Sequence, residues 1–140
     1  MVVLRTDESS NLKKGDYSVG VTRQYCSTIG KVDNCHVAVY AGVSAENYYG
    51  LTDNLPESRT SYPKRCKVTG VPKERYKHKT KFELVIDIVK YQIEIGTSFD
   101  FVGADGLYGN NHQVRKELDN MEVLFVPDIH RDHLAYSMTE

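Results

Sequence analysis

Val2-Val3-Leu4-Arg5-Thr6-Asp7 opens the chain as an apolar run that ends in an aspartate, and Phe99-Asp100-Phe101-Val102-Gly103-Ala104-Asp105 repeats that pattern later. Each stretch has the composition of a buried strand, and small or polar residues follow each aspartate. Open α/β folds place their functional groups at the carboxyl ends of such strands. Two carboxylates at strand ends, far apart in sequence, predict a divalent-metal site formed by Asp7 and Asp105.

Each aspartate also has a simpler interpretation as a turn former. Asp7 could cap a turn at Ser9-Ser10, and Asp105 precedes Gly106 in an ordinary Asp-Gly turn signal. Successive side chains of a strand point to opposite faces, so we expect Glu8 to support the site at most, without contacting a metal.

Strand patterns occupy the first half of the chain. Tyr17–Thr22 and Cys35–Tyr40 alternate with period two, and Gly15 and Gly30 precede them as turn residues. Asn47–Leu51 could add an edge strand. We expect a long, exposed, irregular connection to follow, because Pro56, Pro63, Gly70 and Pro72 punctuate it.

The second half alternates helix with strand. Thr80-Lys81-Phe82-Glu83 has the form of a capping box ahead of a helical apolar pattern that Gly96 would end. The strand ending at Asp105 follows, then a short helix capped by Asn110 or Asn111, then a buried strand over Glu122–Val126. The predicted fold is α/β with a mixed sheet, in the order β-β-β-α-β-α-β, which is the ribonuclease H-like arrangement.

Length and composition favour one domain over residues 1–140. The 140 residues are 40% hydrophobic and 26% charged, which suits a globular domain with its own core. No apolar run approaches the roughly 20 residues that cross a bilayer, so we expect a soluble, cytoplasmic protein. Cys26, Cys35 and Cys66 form no CxxC pair and predict reduced thiols, with Cys26 and Cys35 packed in the core.

Charge is distributed unevenly although the net charge is -1. Residues 62–81 carry eight lysines and arginines against one glutamate, and most of them lie in an exposed connection at about 52–79. Such a segment suits the phosphates of a nucleic acid, although a solvated loop explains it equally well. The candidate nucleic-acid-binding residues are Lys73, Arg75, Lys77 and Lys79, together with the pair Lys13 and Lys14.

A set of separated motifs runs through most of the chain. They are Asp7–Gly15, Ser18–Val21, Arg23–Cys26, Gly30-Lys31, Asn34-Cys35, Thr80–Leu84 and Ala104–Gly109. Together they resemble the catalytic domain of bacterial insertion-sequence transposases of the DDE superfamily. Thr80-Lys81-Phe82-Glu83-Leu84 resembles that family's Thr-Lys-Pro-Glu-Leu helix start, and Ala104–Gly109 resembles its second-aspartate motif.

The resemblance implies a specific chemistry. In the family, two aspartates and a glutamate hold two divalent cations, Mg²⁺ or Mn²⁺, that cut DNA and join the resulting 3′ hydroxyl to a target. Asp7 and Asp105 would be the first two acids. The implied partner is DNA, as transposon ends and target, in a bacterial, nucleoid-associated setting. The resemblance leaves a homo-oligomer open.

The chain also departs from the family pattern. The family's third acid lies on a helix well beyond the second-aspartate strand, and no acid after Asp105 stands in a matching context. We therefore expect a catalytic-domain fragment, incomplete at its C-terminal end and inactive alone.

Two alternatives remain. One is a non-catalytic remnant that binds nucleic acid or dimerises, and the other is a complete ribonuclease H-like nuclease or resolvase in which Glu117 or Asp128 reaches the site. His130-Arg131-Asp132-His133 could be a metal cluster, but a surface tail is the expected reading.

Overall fold

The computed structural model describes residues 1–15, 17–56, 63–75 and 79–128. Six strands in these ranges form one mixed sheet. They are β1 (Val2–Leu12), β2 (Thr22–Cys26), β3 (Lys31–Ala45), β4 (Tyr48–Pro56), β5 (Phe101–Ala104) and β6 (Phe125–Pro127). The helices are α1 (Pro63–Val68), α2 (Lys81–Glu94), α3 (Gly106–Gly109) and α4 (His112–Asn120), with a short 3-10 helix at Lys73–Arg75.

The sheet is antiparallel on one side of β1 and parallel on the other. β3 pairs antiparallel with β1 over all of β1, and its opposite edge carries β2 and then β4. On its other side β1 pairs parallel with β5, which pairs parallel with β6. The spatial order is β2-β3-β1-β5-β6, with β4 also on β3. β1 therefore joins an antiparallel half to a parallel half.

Helix α2 covers one face of this sheet. Its side chains Val85, Ile88 and Val89 are fully buried in one cluster with Leu4 of β1 and Val102 of β5. Helix α4 adds Val114 and Leu118 to the same cluster. Among the described residues, this cluster is the larger of the two buried clusters and forms the main core. Burying each such aliphatic side chain stabilises the fold by about 1.5–3 kcal/mol.

Several local predictions are confirmed. Thr80 caps α2 with both hydrogen bonds of the capping box, and Gly96 follows the helix with a positive φ of 78°. Asn111 caps α4, and β5 ends directly before Asp105. Cys26 and Cys35 are buried free thiols.

The predicted element order needs correction. A strand was predicted over Tyr17–Thr22, but residues 17–21 lie outside any strand. The strand in this part of the chain is β2, which begins at Thr22 and ends at Cys26. The edge strand β4 is present, so four strands precede the helices, and α1 interrupts a connection expected to be irregular. Helix α3 was not predicted either. The fold is nevertheless mixed α/β, consistent with a ribonuclease H-like arrangement.

No helix within the described ranges is both long and apolar enough to cross a membrane.

Candidate metal centre

Asp7 and Asp105 occupy equivalent places on neighbouring parallel strands. The β1–β5 pairing ends at Thr6 opposite Ala104, so each aspartate is one residue beyond the last pair. The sequence predicted that β1 ends at Asp7. In the structure β1 continues beyond it, because the antiparallel pairing with β3 extends to Leu12. What ends there is the parallel half of the sheet. The turn at Ser9-Ser10 is accordingly ruled out for Asp7.

The two carboxylates line one cleft on the sheet face opposite α2. Side chains alternate along each strand, so Asp7 shares a face with Val3 and Arg5, whereas Leu4 faces the core. The cleft has a volume of about 320 Å³. The residues that line it are Val3, Arg5, Thr6, Asp7, Phe101, Gly103, Ala104, Asp105, Val126 and Asp128.

Each aspartate is held by one backbone hydrogen bond. The backbone N–H of Glu8 donates to Asp7 Oδ1 at 2.7 Å, and that of Leu107 donates to Asp105 Oδ1 at 3.0 Å. The second bond makes Asp105 the N-cap of α3, so its expected turn-forming role is also present. Within the described residues, Oδ2 of either side chain accepts no hydrogen bond. Each carboxylate thus keeps one oxygen for another partner.

The pKa of the Asp7 carboxyl is raised above its ordinary value. Desolvation by partial burial raises the pKa of Asp7, and the negative charges of Asp105 and Glu8 raise it further, against the lowering effect of the Glu8 backbone N–H. Like charges that share a site disfavour their ionised forms. A cation between these carboxylates would relieve that repulsion.

Asp128 is a third acid in the cleft. Its backbone N–H donates to the carbonyl oxygen of Ala104 at 2.9 Å, which continues the β5–β6 pairing one residue past Pro127. The exposed Val126 lines the same cleft two residues earlier. The sequence carried the signal, because Asp128 follows an apolar strand just as Asp7 and Asp105 do. Of the two acids named for the nuclease alternative, Glu117 and Asp128, only Asp128 lines the cleft.

Glu8 lies on the opposite face of β1 and contacts the helices there. Its carboxylate accepts hydrogen bonds from Lys81 Nζ at 2.7 Å and from Tyr108 Oη at 2.8 Å. Tyr108 is fully buried and packs edge-on against Phe82. Burial, and then the negative charge of Glu8, raise the pKa of Tyr108, so its hydroxyl remains a donor.

The basic candidates do not all surround the cleft. Lys13 and Lys14 are exposed beyond the end of β1, six or more residues from Asp7 along the chain, or about 20 Å along the strand. Lys73 is exposed on the 3-10 helix, and Lys79 pairs with Asp87. Lys77 and the side chain of Arg75 lie outside the described residues.

Other metal candidates lack support in the described ranges. Throughout those ranges, with the three cleft aspartates included, no set of three or more His, Cys, Asp or Glu residues is arranged to hold a metal ion by itself. Glu117 pairs with Lys90 of α2 at 3.5 Å. It does not line the cleft. The His130–His133 cluster lies outside the described residues.

Two comparisons with known proteins give matches over most or all of the chain. A probable transposase for insertion sequence element IS701 from Microchaete diplosiphon is 29% identical over 137 residues, which cover 94% of this chain and 33% of the relative. The chain thus spans about a third of that relative's length. No solved structure matches this chain. The model of the DDE superfamily endonuclease family matches residues 1–140. The chain therefore belongs to the DDE superfamily endonucleases.

Proposed function

We propose that this chain forms the cation-binding part of a DNA transposase catalytic domain, with Asp7 and Asp105 as two of the family's three acids. One observation carries the proposal: the two carboxylates follow the last paired residues of neighbouring parallel strands and line one cleft. Family membership supports DNA as the substrate class.

The donor set fits a hard divalent cation. Mg²⁺ and Mn²⁺ prefer carboxylate oxygens, and the backbone N–H groups of Glu8 and Leu107 hold one oxygen of each aspartate while leaving the other available. The raised pKa of Asp7, caused first by partial burial and then by the charges of Asp105 and Glu8, also fits, because a cation there would neutralise negative charge that is poorly solvated. When bound there, such a cation supplies the positive charge that lowers the barrier to attack on a phosphodiester.

The chain's own residues would perform two further tasks. The sheet holds the aspartates at a fixed spacing, because neighbouring strands lie about 4.8 Å apart and the β1–β5 register defines which residues are opposite. Arg5, exposed on the same face two residues before Asp7, adds a cation that could contact a DNA phosphate. Both tasks concern binding and orientation.

Direct measurement of Mn²⁺ binding tests the proposal. Binding is measured by the decrease of the free Mn²⁺ EPR signal when protein is added. We expect this decrease with the wild-type chain and no decrease with Asp7→Asn or Asp105→Asn. In the wild-type chain, Mn²⁺ at 100 times its dissociation constant should stabilise the fold by about 2.7 kcal/mol, and neither variant should show that gain.

Asp33→Asn provides a matched control. Asp33 Oδ1 accepts the backbone N–H of the following Asn34 at 2.8 Å, the same local geometry as Asp7, but it lies on β3 and outside the cleft. This variant should bind Mn²⁺ like the wild type. Unchanged affinity in both cleft variants would refute the metal site and leave a remnant that binds nucleic acid or dimerises as the better reading.

A further inference from the structure

We propose that Glu8 and Tyr108 form a positioning pair that fixes the spacing of Asp7 and Asp105. The inference rests on the proposed function, because it concerns the residues that hold the cation site in shape. It assigns no contact with metal or DNA to either residue, since Glu8 lies on the sheet face opposite the cleft.

The geometry of the pair connects the two halves of the site. Glu8 is adjacent to Asp7 on β1 and donates its backbone N–H to that aspartate. Tyr108 lies in α3, the helix that Asp105 caps. The 2.8 Å bond from Tyr108 Oη to Glu8 Oε2 therefore joins two elements within three residues of each aspartate. A change in that bond would shift one aspartate relative to the other.

A second contact fixes the carboxylate itself. Lys81, the first residue of α2, donates to Glu8 Oε1 at 2.7 Å, so both oxygens of Glu8 are engaged by groups from different helices. The side chains of Lys81 and Glu8 are only 24% and 26% exposed. Such a carboxylate has little rotational freedom, which is the property that a positioning group needs.

Stability alone explains this arrangement poorly. Removing a carboxylate and an ammonium from water costs free energy, and well-packed apolar residues of similar size stabilise a fold about as well. A tyrosine hydroxyl in a core otherwise built from apolar side chains also requires a partner. The retained polar contacts are better explained by control of geometry next to the two aspartates.

Two conservative variants test the proposal. Tyr108→Phe removes only the hydroxyl, and Glu8→Gln keeps an acceptor for Tyr108 while removing the charge that pairs with Lys81. We expect the Mn²⁺ dissociation constant to rise about tenfold in Tyr108→Phe, as is typical when a group that orients a ligand is lost. Glu8→Gln should show a smaller rise. Thermal unfolding of the metal-free proteins is measured in parallel.

The control is Glu117→Gln, which breaks another lysine pair of α2, that between Lys90 and Glu117, away from the cleft. It should leave Mn²⁺ affinity unchanged. A lower melting temperature with wild-type affinity in both Tyr108→Phe and Glu8→Gln would mean that the pair is merely structural and would overturn the inference. If Asp7→Asn and Asp105→Asn also retained wild-type affinity, the proposed function itself would fail, so the two failures are distinguishable.

Discussion

Gly109→Ala should be the most damaging single-methyl substitution near the candidate metal centre. Gly109 is buried at the end of α3, where a Cβ would meet the carbonyl oxygen of Asp128 and lie 2.6 Å from Pro127 Cβ and 3.1 Å from Pro127 Cγ. Carbon atoms pack at about 3.5–4.0 Å, so α3 or the end of β6 must move by roughly 1 Å. Forcing an extra methyl into a packed site costs about 1–3 kcal/mol.

The expected result is a melting temperature lowered by about 4–12 °C, since 1 kcal/mol corresponds to about 4 °C for a domain of this size. Circular dichroism during heating measures it. Gly50→Ala is the matched control, because a Cβ on this strand glycine of β4 would meet no heavy atom within 4 Å, and its change should stay within about 2 °C. Equal melting temperatures for the two variants would refute the close packing of α3 against β6.

Two further predictions concern charge. The raised pKa of Asp7 means that its charged form opposes folding, so its contribution to stability is present below the ordinary pKa of 3.8 and is lost as the pH rises through the folded-state pKa. Metal-free Asp7→Asn should therefore gain thermal stability relative to wild type between about pH 4 and 7, and a parallel pH profile would contradict this. Replacing Lys73, Lys77 and Lys79 with glutamine should weaken binding to all duplex DNA sequences alike and flatten its salt dependence, with Lys90→Gln as the control. Loss of binding to one sequence only would count against phosphate contacts.

Local signals predicted the parts of the fold that local chemistry determines. The α2 boundaries follow from Thr80 and Glu83 at one end and Gly96 at the other, because capping hydrogen bonds involve residues three or four apart. The strand before Asp105 could also be predicted from the sequence, because the residues from Phe101 to Ala104 are continuously apolar or small. These features depend little on the rest of the chain.

Features that depend on distant pairing were missed. Nothing near Asp7 indicates that β1 continues to Leu12, because its polar second half is held by β3. Helix α3 is too short for a periodic pattern, and α1 falls among prolines and glycines. The choice between Glu117 and Asp128 stayed open for the same reason, since the place of Asp128 in the cleft follows from the β5–β6 register.

The position of β1 between the two halves of the sheet has a consequence for how the candidate site comes into being. Asp7 leaves the ribosome about a hundred residues before Asp105, so neither half of the chain contains the pair of carboxylates. Bringing the two aspartates together closes a loop of that length, which costs conformational entropy. The docking of β5 onto β1 offsets this cost. A cation held by both aspartates would bind only the docked form, so its affinity would report the completion of folding as well as the chemistry of the proposed site.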